Sequence, residues 1–278
     1  MSTPTGPLRL LRQHRSHTVV IYVILVIGAV LWLFPMITAV RASLAFGGPG
    51  NYLTVITGTF NGVSLPRTFV NSLIIAALHA LIVCSVGSLA GYTFSKIRFP
   101  GREAVYYGVL IFLAVPAVAI LVPVYWITGQ LALFNTHIGV ALPEAALTLP
   151  FAVLLLRNYA DGIPDDLIEA ASIDGAGHGR IYRQIFLPLA RPALVNLGAL
   201  SVMWSLQDFL FPSTILKDPE LTTAAQAVQT IQSGFGPSPT QTSQYFAALV
   251  LLAVPALVLV VTGLRFITSG ITQGGLKE

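Results

Sequence analysis

The stretch Gly162-Ile-Pro-Asp-Asp-Leu-Ile-Glu169-Ala-Ala-Ser-Ile-Asp-Gly175, followed by Ile185-Phe-Leu-Pro188, is a polar segment set between two long apolar runs. It opens with helix-start chemistry. Pro164 suits a first helical position, because the N–H it lacks would be unpaired there anyway. Asp165 and Asp166 follow in the first turn, where the positive end of the helix dipole favours carboxylates. Leu167, Ile168 and Ala171 are expected to form one short apolar face. Asp174-Gly175 reads as the stop, since glycine takes the left-handed conformation that ends many helices. A second helix is expected over 177–186, carrying Arg180 and Arg183, with Pro188 ending it. Such a helix–turn–helix is too short to span a bilayer and too polar to lie in lipid. It is either a solvated surface loop or an element that docks on a partner.

Around this segment the chain is built for a membrane. Apolar residues make up 55% of it and charged residues 9%, against about 25% charge in soluble domains. A bilayer core needs roughly 20 mainly apolar residues per helix. Six runs of about that length occur, at 18–40, 69–93, 104–127, 138–160, 193–216 and 245–267. Each is apolar throughout rather than at alternate positions, so each predicts a helix and not a barrel strand. The first run follows Arg9, Arg12 and Arg15 but exceeds the ~7–15 residues of a secretory core, and reads as a retained anchor.

Lysine and arginine set the orientation. With the N-terminus inside, the inner segments hold Arg9, Arg12, Arg15, Lys96, Arg98, Arg102, Arg157, Arg180, Arg183, Arg191, Arg265 and Lys277, and the outer loops only Arg41, Arg67 and Lys217. The opening stretch therefore falls on the cytoplasmic side, and the net charge of +4 reports topology rather than affinity for nucleic acid. The expected organisation is a cytoplasmic tail at 1–17, a membrane domain at 18–267 containing the polar loop at 160–191, and a second cytoplasmic tail at 268–278.

Polar groups inside apolar runs are costly and mark cavities or partners. Glu144 follows Pro143 and is expected at the outer interface, with a place on a solute path as the alternative. Asp208 lies deeper, with either a structural hydrogen bond to a partner subunit or a solute path as its role. Tyr125 and Trp126 end the third run and read as interface anchors, or as stacking platforms for a solute. Pro116, Pro123, Pro143, Pro150 and Pro212 imply kinked or broken helices. Gly87-Ser-Leu-Ala-Gly91 has the spacing of a close helix–helix contact. Cys84 is the one cysteine, a packing residue by default.

Catalysis is not expected. Lys96, Lys217 and Lys277 follow Ser95, Leu216 and Leu276, so none sits in a phosphate-binding loop, which needs glycine before its lysine. No paired-cysteine or His-Glu-x-x-His metal spacing occurs. His79 and Cys84 lie on different faces of one helix, and His137 and His178 are expected at interfaces.

The order of the opening stretch is Glu-Ala-Ala, three residues, Gly, nine residues, Ile, one residue, Leu-Pro. This resembles the cytoplasmic coupling loop of the membrane subunits of binding-protein-dependent ABC importers. Thr68-Phe-Val-Asn71-Ser-Leu, Ala90-Gly-Tyr-Thr-Phe-Ser-Lys-Ile-Arg-Phe-Pro100-Gly-Arg and the glycine-rich tail from Arg265 to Lys277 extend the likeness to the carbohydrate branch, the second permease of maltose-type systems. One departure is Trp204-Ser-Leu206-Gln207-Asp208-Phe209, where the family commonly has Trp-Asn-acid-Phe; if that region meets solute, specificity differs from better-known sugars.

The resemblance implies an all-α membrane protein with six transmembrane helices, the type I importer fold and a helix–turn–helix coupling loop. Glu169 would pair with a basic residue of an ATPase subunit, and Ala170, Ala171, Asp174, Gly175, Ile185, Leu187 and Pro188 would shape the docking element. Glu144, Gln207, Asp208 and Tyr125 become candidates for the solute path. The implied partners are a second homologous permease, an ATPase dimer, an extracytoplasmic solute-binding protein and membrane lipid, with no nucleic acid. ATP and magnesium would sit on the ATPase, with no cofactor on this chain. The implied location is the cytoplasmic membrane of a bacterium or archaeon, both termini inside. An ion-coupled secondary transporter working through Asp208 is the alternative; it leaves the docking loop unexplained.

Overall fold

The computed structural model describes residues 15–274, with side chains for 18–255 and 257–258. Arg9, Arg12 and Lys277, and most of the two expected tails, lie outside the described side chains. Helices dominate: α1 (Arg15–Ala45), α2 (Gly50–Thr57), α3 (Leu65–Lys96), α4 (Arg102–Ile111), α5 (Leu121–Gln130), α6 (His137–Asp161), α7 (Asp165–Ile173), α8 (His178–Ile181), α9 (Leu187–Gln207), α10 (Leu210–Ile215), α11 (Ala224–Gly234) and α12 (Pro239–Gly274). One two-stranded hairpin, β1 (Thr59–Phe60) with β2 (Val63–Ser64), turns at Asn61-Gly62, the Asn-Gly pair such turns favour.

Among the described residues four helices are long and apolar enough to cross a bilayer: Thr18–Ala45, Leu65–Lys96, His137–Asp161 and His178–Gln207. The sixth run lies within α12, whose side chains beyond 258 are outside the described residues. The third run departs from the expected single span. Arg102–Ala114 and Ala117–Gln130 are bent by 101° to one another, and make a fifth crossing only if counted together. Pro116 is the cause. It has no N–H to continue the helix and drives the residue before it out of helical geometry, and Val115 is extended at φ −82°, ψ 118°.

The fifth run is also drawn differently. Pro188 does not end a helix over 177–186; the path from His178 to Gln207 is continuous. A π turn over Tyr182–Phe186 makes this possible, with the Leu187 N–H bonded to the Tyr182 carbonyl. The wider turn removes the clash between a proline ring and the carbonyl four residues back. At the other end the run breaks at Asp208, and α10 is a separate short helix.

The body is organised around α3, which packs against α6 and α9. Gly87 and Gly91 permit the α3–α6 approach: a Cβ on Gly91 would lie 2.7 Å from the Leu156 Cβ and 2.9 Å from the Arg157 amide nitrogen. The glycine pair is thus a packing device, as its spacing suggests. Val83, Ala145, Ala152, Leu156 and Leu197 close the core beside it.

A second core gathers α2, the hairpin, α11 and α12 around Val55, Val63, Leu65 and Ile231. Asn71 ties this end together. Its amide donates to the Glu220 and Thr222 carbonyls at 2.9 and 3.0 Å, and its carbonyl accepts from His137 Nε2 at 3.1 Å. Thr223 and Gln226 cap α11 reciprocally.

Candidate functional site

The candidate residues gather in two places: the surface formed by α7 and α8, and a cavity between α3, α6 and the break at Asp208. At the first, Lys96 ends α3 and donates to the Ile163 carbonyl at 2.7 Å while pairing with Asp165. Ser95 donates to Asp161 at 2.6 Å. Beside them Arg157 grips both oxygens of Glu103, at 2.7 and 2.9 Å, with its guanidinium 3.9 Å over the Tyr106 ring. The start of α7 is therefore clamped to the ends of α3 and α6.

Lys96 holds the Asp165 carboxyl below the usual carboxylate range, through its hydrogen bond and its charge. A carboxyl depressed in the folded state adds stability above its unfolded pKa and loses it as pH falls through the folded value. The clamp should contribute in full from neutrality down to the ordinary aspartate value of 3.8, and be lost only as pH falls through the lower value that Asp165 has when paired. Amide exchange of α7, corrected for intrinsic rates, should show one protection level between pH 5 and pH 8; a step inside that window would contradict the pairing.

The turn closes by two bonds. Gly175 N–H reaches the Ser172 carbonyl at 3.0 Å and Ala176 N–H the Ala171 carbonyl at 2.9 Å, the pairing of a glycine-terminated helix. Gly175 stands at φ +80°, and a Cβ there would meet nothing within 4 Å. Its requirement is conformational, not steric. Gly175→Ala should cost ~1–2 kcal/mol and Gly175→Asn less, read as faster exchange of the Ala176 amide; equal effects would show that space decides instead.

The faces of α7 differ from the expected single apolar patch. Ile168 and Ala171 turn inward, packing with Ala176, Ile185 and Leu187 against Tyr92, Ile181 and Phe186. Leu167 lies a further ~100° round the helix. It is 47% exposed, and Ile173 is 86% exposed. Glu169, Ala170, Asp174 and Pro188 are exposed as well. Glu169 makes no ion pair among the described residues and borders a basic cleft with Lys96, Arg98 and Arg102. The surface thus offers Glu169, with Asp166 and Asp174, as exposed carboxylates without an ion pair among the described residues, flanked by exposed apolar side chains on a rigidly held turn.

The cavity has a volume of about 250 Å³. Its polar lining is His79, Glu144, Thr148, Ser205, Gln207 and Asp208, and its apolar lining Ala117, Leu147, Trp204 and Phe211. Glu144 is not at an interface: it is 5% exposed. It stands on the face of α6 that meets α3 and α9, because Pro143 continues that helix. The two oxygens of Asp208 accept from the Leu210 and Phe211 amides at 2.9 and 3.3 Å, so within the chain it caps the short helix that follows it. Tyr125 is apart from this group, half-exposed with its ring 4.8 Å from that of Phe134. Of the four candidates for a solute path, three meet in one cavity and Tyr125 does not.

His79 is the residue that sequence reasoning left without a role here. Its Nδ1–H donates to the Ser201 carbonyl at 3.0 Å, and Nε2 meets the Thr148 hydroxyl at 3.0 Å. The signal was a histidine in a fully apolar run; the helix count alone gives no partner for it.

Residues 84–272 match the family described as binding-protein-dependent transport system inner membrane component. The chain is 34% identical over 231 residues to an osmoprotective compounds uptake permease of Synechocystis, covering 82% of this chain and 75% of that one. It is 30% identical to a trehalose/maltose transport system permease of Thermococcus litoralis, over 92% and 96% of the two chains, and 26% identical to a diacetylchitobiose uptake permease of Streptomyces coelicolor, over 95% and 90%. The fold is shared with a chain of a bacterial ABC transporter that imports the acidic polysaccharide alginate: TM-score 0.75, 18% identity, covering 99% and 100%.

Proposed function

The chain belongs to the family of binding-protein-dependent transport inner-membrane components, and from that premise we propose that it is one of two permease subunits of an ATP-driven importer for a sugar or sugar-like solute. It is a multi-pass, non-catalytic membrane subunit, and importers of this family work with a solute-binding protein and an ATPase. The finer assignment is our own. A second homologous permease completes the pathway, both termini face the cytoplasm of a bacterium or archaeon, and ATP and magnesium are held by a partner ATPase dimer. Sugars, and osmoprotective compounds more broadly, are what the relatives' names give as cargo.

The observation that carries this reading is the α7–α8 surface. Glu169 and its exposed neighbours have no use inside the chain, yet the turn presenting them is clamped by Lys96 and closed at Gly175. The inward side, Ile168, Ala171, Ile185 and Leu187, packs on the residues that join α3 to α9. Closure of an ATPase dimer against Glu169 would push this packed unit as a block and tilt the spans between inward-open and outward-open states. Glu144, Gln207 and Asp208 line the solute path in this scheme. Asp208 is a poor ion-coupling group, since both its oxygens already cap α10.

The test is to purify the tagged chain from cells expressing its neighbouring transport genes and reconstitute it in lipid. An ATPase subunit should co-purify, and its hydrolysis should rise with solute-loaded binding protein. A chain that purifies folded but never brings an ATPase with it would sink the reading.

A further inference from the structure

Glu144 is a buried carboxylate short of hydrogen-bond donors. Both its oxygens are buried without a hydrogen-bond partner among the described residues, and so is the neighbouring Ser205 hydroxyl. Glu144 is 5% exposed and Ser205 7%, and both line the cavity. An unpaired buried polar group is costly and a charged one more so, so a protein does not keep one by accident of packing.

Three of the polar groups around it are committed elsewhere. The His79 Nδ1–H goes to the Ser201 carbonyl, the Thr148 hydroxyl to the main-chain carbonyl of Glu144 itself, and Asp208 is an acceptor already occupied by amides. The Ser205 hydroxyl can turn to serve one Glu144 oxygen, and the donors still missing come from what fills the cavity. Its volume of about 250 Å³ far exceeds the ~10–15 Å³ that one water needs. No lysine or arginine lines it, and no three potential ligands converge to hold a metal among the described residues.

We propose that this cavity is a solute subsite that takes a hydroxyl-rich molecule, neutral or bearing an amine, and rejects anionic solutes, with Glu144 accepting from the solute's hydroxyls or ammonium group. The proposal rests on the importer reading above and deepens it by fixing the charge class of the cargo. Glu144 and Asp208 repel an acid, while Gln207 and Ser205 add neutral polar contacts. Trp204 and Phe211 line the same cavity and give the apolar faces that the C–H side of a sugar ring requires. The shared fold with an importer of an acidic polysaccharide thus extends to architecture and not to the charge of the cargo.

A cysteine reporter tests this without needing the cargo's identity. In Cys84→Ser/Gln207→Cys, the chain carries one thiol, in the cavity lining. The full chain in lipid nanodiscs is reacted with trimethylammonioethyl and sulfonatoethyl methanethiosulfonate, and the rate ratio is compared with that on free cysteine. A cleft lined by one sign of charge changes encounter rates by ~10-fold or more, so the ratio should favour the cationic reagent by at least that factor. Adding Glu144→Gln should reduce it. Glucose and glucosamine should slow labelling by N-ethylmaleimide, and glucuronate should not. A ratio equal to that on free cysteine, or protection that is equal for all three sugars or absent for all, would overturn the subsite; a ratio unmoved by Glu144→Gln would overturn the role of Glu144. The reporter with Glu144 intact decides the subsite by itself, even if the second variant misfolds. Labelling does not require the ATPase, so its failure is distinct from failure of the chain to co-purify with one.

Discussion

Glu169→Ala should release the ATPase subunit while leaving the permease folded. The side chain is exposed on α7 and makes no ion pair among the described residues, so its loss removes little that holds the chain together. Docked, the same carboxylate would be desolvated against a basic partner. Truncating one member of such a pair costs ~2–5 kcal/mol, much of it from the charge left buried and unpaired, which weakens docking roughly 30- to 5,000-fold. Co-purification and solute-stimulated hydrolysis in lipid should both collapse, while thermal unfolding of the isolated chain stays at the wild-type temperature. Retained docking and transport would show that Glu169 is an ordinary solvated residue. A fall in unfolding temperature matching the loss of docking would show that its role is internal.

The second large effect is expected far from that surface, at Gly91. A side chain there would strike the Leu156 Cβ at 2.7 Å and the Arg157 amide nitrogen at 2.9 Å. Backbone inside a helix cannot give way as a flexible side-chain tip can. Overpacking ordinarily costs ~1–3 kcal/mol, and Gly91→Val should reach or exceed the top of that range by levering α3 from α6. The expected readout is loss of monodisperse protein in detergent. Gly87→Ala meets the Ala152 Cβ at 2.8 Å but the Ala152 main chain only at 3.7 Å, an ordinary contact, and should be milder. Gly108 has nothing within 4 Å of a built Cβ, so Gly108→Ala is the control that should leave stability unchanged or slightly raised. Equal yields for Gly91→Val and Gly108→Ala would refute the close-contact account.

Much of this molecule was legible from local chemistry. The apolar runs gave the long helices because length and hydropathy alone decide what can cross a bilayer. Pro164, the Asp165-Asp166 pair and Gly175 marked the ends of α7 because capping is a property of neighbouring residues. Two further local signals lie in the sequence: Asn61-Gly62 for the hairpin and the Thr223-x-x-Gln226 pattern for the start of α11. What local chemistry does not contain is which side of a helix meets its neighbours. Glu144 looked interfacial from Pro143 beside it, yet α3 and α9 enclose it. Leu167 and Ile168 are adjacent and equally apolar, and only the fold sends one outward and the other in. Asp208 stands at a break that Pro212, four residues on, implied, but local chemistry did not say that its carboxylate would accept from the amides of the next helix.

The wide turn at Tyr182–Phe186 bears on how this chain tolerates changes of length. It holds one residue more than an α-helix following the same path requires, with Ile181 before it, Phe186 at its end and Ala190 after it all buried in one cluster. Deleting a single residue there leaves an ordinary helix whose flanks keep their facing. A deletion anywhere else between 187 and 207 swings every later side chain by ~100° and draws it ~1.5 Å along the axis. Single-residue deletions in this span should therefore be tolerated at those five positions and not between 187 and 207.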